Sequence, residues 1–169
     1  MPTPILSIVG RSKVGKTTLL EILIPALKQR GLRIATIKHH AHPGFEIDQP
    51  GKDTWRHAQA GSDCVVLSAP DKIATIRRLQ REQTLDEIAA NISDVDLILT
   101  EGYKRAGKPT LEVVRQEKGL ELLSSSGQLL AVASDVPLSL NVPVFPLDDA
   151  AGMAEFILQH FFPDKDLKS

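Results

Sequence analysis

The stretch that decides the fold is Ile5-Leu6-Ser7-Ile8-Val9-Gly10-Arg11-Ser12-Lys13-Val14-Gly15-Lys16-Thr17-Thr18-Leu19-Leu20. Its first five residues are almost continuously apolar, as in a strand covered on both faces of a parallel sheet. Gly10 to Thr18 fit the pattern G-x-x-x-x-G-K-[ST]. Beyond them Leu19, Leu20, Leu23, Ile24 and Leu27 recur at helical spacing up to Gly31, a natural stop. Strand, glycine-rich turn and helix in that order are the context in which this pattern grips phosphate. The glycines allow a tight turn whose amides face an anion, and the helix start adds positive potential. Every residue from Gly10 to Thr18 is therefore a candidate nucleotide contact, with Lys16 reaching the β and γ phosphates and the Thr17 hydroxyl facing Mg²⁺.

Outward from this core, Arg33 to Lys38 read as a second strand, which completes a right-handed βαβ unit. Pro25 is expected to kink or shorten the intervening helix. His39 to Lys52, punctuated by Pro43-Gly44 and Pro50-Gly51, read as a long loop. A short helix capped by Asp53 or Thr54 follows, running to Ala60, and then a hairpin of Cys64 to Ser68 and Ile73 to Arg77 across Pro70-Asp71. Thr84-Leu85-Asp86-Glu87 is spaced as a capping box for a helix to Ile92. Further strands are expected at Val95 to Leu99, Leu111 to Val114, Leu129 to Ala133 and Val142 to Phe145. The closing helix is expected from Asp148 to Phe161. The alternation implies one α/β domain over 1–162, P-loop NTPase-like, with a mostly parallel sheet, helices on both faces, and a frayed tail at 163–169.

A length of 169 residues suits one core without covalent staples, and the single cysteine, Cys64, favours a reducing cytoplasm. A net charge of -1 removes the bulk basic footprint of a nucleic-acid or membrane-surface binder. Five Phe, one Trp and one Tyr supply few base-stacking platforms. No signal peptide is evident, and no run reaches the roughly 18 apolar residues of a membrane span.

The metal needs a carboxylate at the C-terminal end of a neighbouring strand. Glu101 fits, since it follows Val95 to Thr100 and precedes Gly102, whereas Asp96 sits at the far end, about 15 Å away at strand rise. Asp48-Gln49-Pro50-Gly51 has the form D-x-x-G, so Asp48 is a second metal-side candidate, with an ordinary Pro-Gly turn as the alternative. Lys38, His39, His40 and His42 read as a basic, hydrogen-bonding patch near the phosphates. A solvated loop or a Zn²⁺ or Ni²⁺ site, the latter implying a nucleotide-driven metallochaperone, are the alternatives. Asp135 follows an apolar strand where a carboxylate can accept from the N1–H and N2 amine of guanine. Initiation of the Asp135-Val136-Pro137 turn is the competing role. No catalytic base is evident, and Arg77, Arg78 and Arg81 make a poor kinase lid.

Together these segments resemble the MobB family of molybdopterin-guanine dinucleotide biosynthesis proteins. The resemblance rests on Lys16-Thr17-Thr18-Leu19-Leu20, Ile37-Lys38-His39-His40, Asp48-Gln49-Pro50-Gly51-Lys52-Asp53-Thr54 with Ala60-Gly61, Leu97 to Lys104, and Ala131-Val132-Ala133-Ser134-Asp135. It implies a GTP-binding, weakly GTP-hydrolysing adapter, commonly a homodimer. Such an adapter assists a MobA-like guanylyltransferase in joining GMP to molybdopterin. It further implies that Gly10 to Thr18 hold the phosphates, Thr17, Glu101 and Asp48 the Mg²⁺ side, and Asp135 the guanine. Arg11 stands where some dimeric relatives among phosphate-loop proteins carry a lysine acting across the dimer.

Overall fold

The computed structural model describes residues 2–42 and 44–163. Six parallel strands form one sheet: β1 Ile5–Gly10, β2 Ile34–Lys38, β5 Leu97–Glu101, β6 Thr110–Val114, β7 Leu129–Ser134 and β8 Val144–Pro146. Their spatial order is β2-β5-β1-β6-β7-β8. The glycine-rich turn leaves the sheet from β1, with β5 on one side and β6 on the other. Two further strands, β3 Cys64–Ala69 and β4 Lys72–Arg77, pair only with each other, as the antiparallel hairpin expected across Pro70-Asp71. Contacts divide the chain into two units, Met1–His39 with Thr84–Ser169, and His40–Gln83.

In the larger unit the two faces of the sheet are built differently. Leu6, Ile8, Leu97, Leu99, Leu111, Val113, Ala131 and Ala133 pack against α1 (Lys16–Gln29) and α4 (Ala150–Phe161), through Leu19, Leu23, Leu27, Met153 and Ile157. The opposite face carries a smaller apolar cluster of Ile5, Ile98 and Leu85 around α3 (Leu85–Ala89). The same face buries Val9, Val114 and Val132 beside polar residues that are paired in place. Thr100 donates to Ser7 at 2.9 Å, and the buried Glu112 carboxylate accepts the amides of Leu123 and Ser124 at 2.7 and 2.9 Å. Helices thus flank both faces, and the α1/α4 layer holds most of the aliphatic core.

Several boundaries differ from expectation for local reasons. α1 runs unbroken through Pro25, which removes one backbone donor without ending a helix buried along Leu19, Leu20, Leu23 and Leu27. β5 begins at Leu97 because the Asp96 carboxylate turns aside to accept the backbone and side chain of Arg33, at 2.8 and 3.2 Å. Asp96 therefore ties the strand starts together, far from the phosphate end. α2 (Asp53–Gln59) is capped at Lys52 with no side-chain bond, so Asp53 sits in the first turn instead. The Thr84–Glu87 capping box forms as expected, but α3 stops at Ala89. Asp149 caps α4 through the amide of Gly152, so the helix starts two residues after Asp148. Pro43, and residues 164–169 of the expected tail, lie outside the described residues.

Candidate nucleotide site

Gly10 has φ +150°, and a Cβ there would meet the Val113 carbonyl at 2.6 Å, so only glycine lets β1 turn this close to β6. Lys13 takes a left-handed φ of 57° in the middle of the loop, and Gly15 caps α1 in the same region at 106°. Such reversals make a concave array of amides, the geometry of an anion nest at a helix start. Within the turn the Lys16 ammonium donates to the carbonyl of Arg11 at 2.9 Å and more weakly to that of Gly10 at 3.4 Å. Burial lowers the Lys16 pKa from the usual lysine value; Glu101 opposes this, and Lys104 and Lys38 add to it.

Thr17 and Glu101, 84 positions apart, meet directly. The hydroxyl lies 3.0 Å from each carboxylate oxygen. Glu101 also faces the Lys38 ammonium at 3.4 Å. Gly102 has φ +100°, and a Cβ there would meet the His39 Cβ at 3.1 Å, so glycine lets the chain turn sharply after the carboxylate. Magnesium keeps several waters and usually takes one or two protein oxygens beside phosphate. A threonine hydroxyl and one carboxylate suit it, and no cluster of three or more His, Cys, Asp or Glu exists among the described residues.

The β6 side of the loop is held by a residue that the sequence reading passed over. Arg115 Nε donates to the Val14 carbonyl at 2.9 Å, and its guanidinium packs on Gly15. No local signal marks it, since the contact exists only because β6 lies beside β1. Arg11 lies in an ion pair of 2.9 Å with Glu121 of the same chain. Asp135 directly follows β7 and accepts the amide of Gln116 at 2.9 Å through Oδ1. Beside it, at the ends of β7 and β8, opens a cavity of about 440 Å³ lined by Asp135, Pro137, Leu138, Phe145 and Pro146.

The remaining candidates divide between the two units. Asp48 belongs to the His40–Gln83 unit, where Oδ1 accepts the Gln49 amide at 2.8 Å. His39 belongs to the larger unit, its ring 4.8 Å from that of Tyr103, while His40 Nδ1 contacts the His42 carbonyl at 2.8 Å. No three-histidine group that could hold a metal ion is found among the described residues.

A parallel sheet whose first strand feeds a glycine-rich turn and a helix, with lysine, threonine and carboxylate converging at that edge, defines a P-loop NTPase-like protein. Residues 5–135 match the family model described as MobB, Molybdopterin guanine dinucleotide synthesis protein B, and the chain belongs to that family. It is 37% identical to the molybdopterin-guanine dinucleotide biosynthesis adapter protein of Haemophilus influenzae, over 94% of this chain and 91% of that one. Identity to the Escherichia coli adapter of the same name is 36%, over 92% of each. A crystal structure of molybdopterin-guanine biosynthesis protein B superposes with a TM-score of 0.73 at 37% identity, covering 92% of this chain and 99% of the other.

Proposed function

We propose that this protein is a GTP-binding adapter in molybdenum cofactor biosynthesis, assisting the step in which a guanylyltransferase converts molybdopterin to its guanine dinucleotide. The observation that carries the nucleotide part is the convergence of Lys16, Thr17 and Glu101 at the mouth of the Gly10–Thr18 turn. The adapter part rests on the names of its relatives.

In this reading the loop amides and Lys16 hold the β and γ phosphates, and Thr17 and Glu101 hold Mg²⁺. Mg²⁺ bound there would neutralise charge on the phosphates. Arg115 fixes the loop from behind through Val14. Asp135 keeps Oδ2 for the guanine edge while Oδ1 holds Gln116, and the neighbouring apolar cavity accepts the ring. Hydrolysis is slow, because in-line attack by water has loop dipoles, Lys16 and the ion to stabilise charge but no assigned base. The protein works in the cytoplasm as a homodimer. The exposed apolar side chains of the hairpin, among them Leu67 and Ile73, give a second copy something to cover, and a sedimentation mass of two chains checks this.

The adapter role is tested by reconstitution. Guanine dinucleotide formation is followed from molybdopterin, Mg²⁺ and GTP with a MobA-like guanylyltransferase, with and without this protein. Faster product formation that is lost with Lys16→Ala supports the proposal. An unchanged rate, with GTP still bound to the protein, contradicts it.

A further inference from the structure

Lys38 and Glu101 are register partners at the last positions of the parallel strands β2 and β5. The His39 amide, donating to the Glu101 carbonyl at 3.0 Å, carries the pairing one residue further. The two side chains thus leave the same sheet edge side by side, and the Lys38 ammonium stands 3.4 Å from Glu101 Oε1. The same carboxylate accepts the Thr17 hydroxyl. A hydroxyl that must turn a lone pair toward Mg²⁺ is here spending its proton on Glu101, and the carboxylate is balanced by a lysine.

We propose that Lys38 is the counter-ion of Glu101 while no metal is bound, and that Mg²⁺ displaces it onto the γ-phosphate, making Lys38 the residue that tells GTP from GDP. This rests on the reading of Lys16, Thr17 and Glu101 as the Mg²⁺–GTP site. A divalent ion at Glu101 and Thr17 satisfies the carboxylate better than one ammonium does, and leaves Lys38 without its partner. The nearest new anion is the terminal phosphate, because Lys38 and Thr17 both touch Glu101 and Thr17 borders the phosphate-binding turn. The Lys38 side chain is 64% exposed, so no packing opposes the swing. GDP offers no terminal phosphate, so in its complex Lys38 stays on Glu101 and competes with the metal. An ordinary surface ion pair would have neither consequence.

The test uses the full chain as wild type, Lys38→Met and Lys38→Arg, with dissociation constants for GTP and GDP at saturating Mg²⁺ and a Mg²⁺ titration of the GDP complex. Lys38→Met is expected to cut the preference for GTP over GDP about tenfold, the scale of one charge-assisted hydrogen bond. It is also expected to tighten Mg²⁺ in the GDP complex, since a competing cation is gone. Lys38→Arg is expected to restore the preference. If wild type binds Mg²⁺–GTP but either quantity stays at its wild-type value in Lys38→Met, or arginine fails to restore the preference, the role of Lys38 is overturned and the nucleotide site stands. If wild type binds no Mg²⁺–GTP, the underlying site assignment falls and this inference with it.

Discussion

Lys16 shows how a single side chain can be held at a cost to the fold and a benefit to the ligand. Burial makes its charged form less favourable than in the unfolded chain, so its folded pKa lies below the usual lysine value. The unfolded chain then holds the proton more tightly, and stability of the nucleotide-free protein gains as pH rises through the window just below that value. A bound triphosphate reverses the preference by needing the ammonium. GTP affinity is therefore expected to weaken as pH climbs into the same window. Lys16→Met is expected to lose about 100-fold in affinity, the worth of charged hydrogen bonds to phosphate, and to show no such pH dependence. Titration calorimetry across alkaline pH checks both. At this scale the sequence was most informative where function is written in consecutive residues. Gly10 to Thr18 are legible because a tight turn needs its glycines, lysine and threonine at fixed spacing. Arg115 was not, because its contact with Val14 joins residues 101 positions apart and depends on β6 lying beside β1.

At the scale of elements, the strands were found by their apolar runs, and their ends were misjudged where polar side chains act on backbone. Asp96 falls inside the expected run from Val95 to Leu99, yet it bonds Arg33 instead, and β5 starts only at Leu97. Pro25 looks like a break, yet the buried leucine stripe of α1 outweighs one missing donor. Glu112 is the clearest case. A charged residue in an apolar strand reads as solvated, but it is 1% exposed and accepts two amides of the segment that follows the Gln116–Lys118 turn. Glu112→Ala is expected to cost about 3 kcal/mol by orphaning those amides. Denaturant unfolding measures the loss, and hydrogen exchange is expected to accelerate first at Leu123 and Ser124. Unchanged exchange at these two amides would refute the assigned role.

For the whole molecule, alternating strands and helices gave the parallel sheet, and the position of the phosphate loop after β1 gave the edge at which ligands gather. The strand order was not readable, because pairing of β1 with β5 and β6 is a choice among partners of similar apolar character. That order is nonetheless what brings Glu101 to Thr17 on one side and Arg115 to Val14 on the other. It also sets the cavity at the ends of β7 and β8 beside Asp135. This edge is expected to hold a guanine nucleotide with its metal. The most direct measurement is a competition titration of GTP, ATP and GDP with and without Mg²⁺. GTP is expected to bind more tightly than ATP, since adenine gives Asp135 no matching donors, and to weaken when Mg²⁺ is removed. Equal affinity for ATP, or GTP binding indifferent to Mg²⁺, would contradict the account.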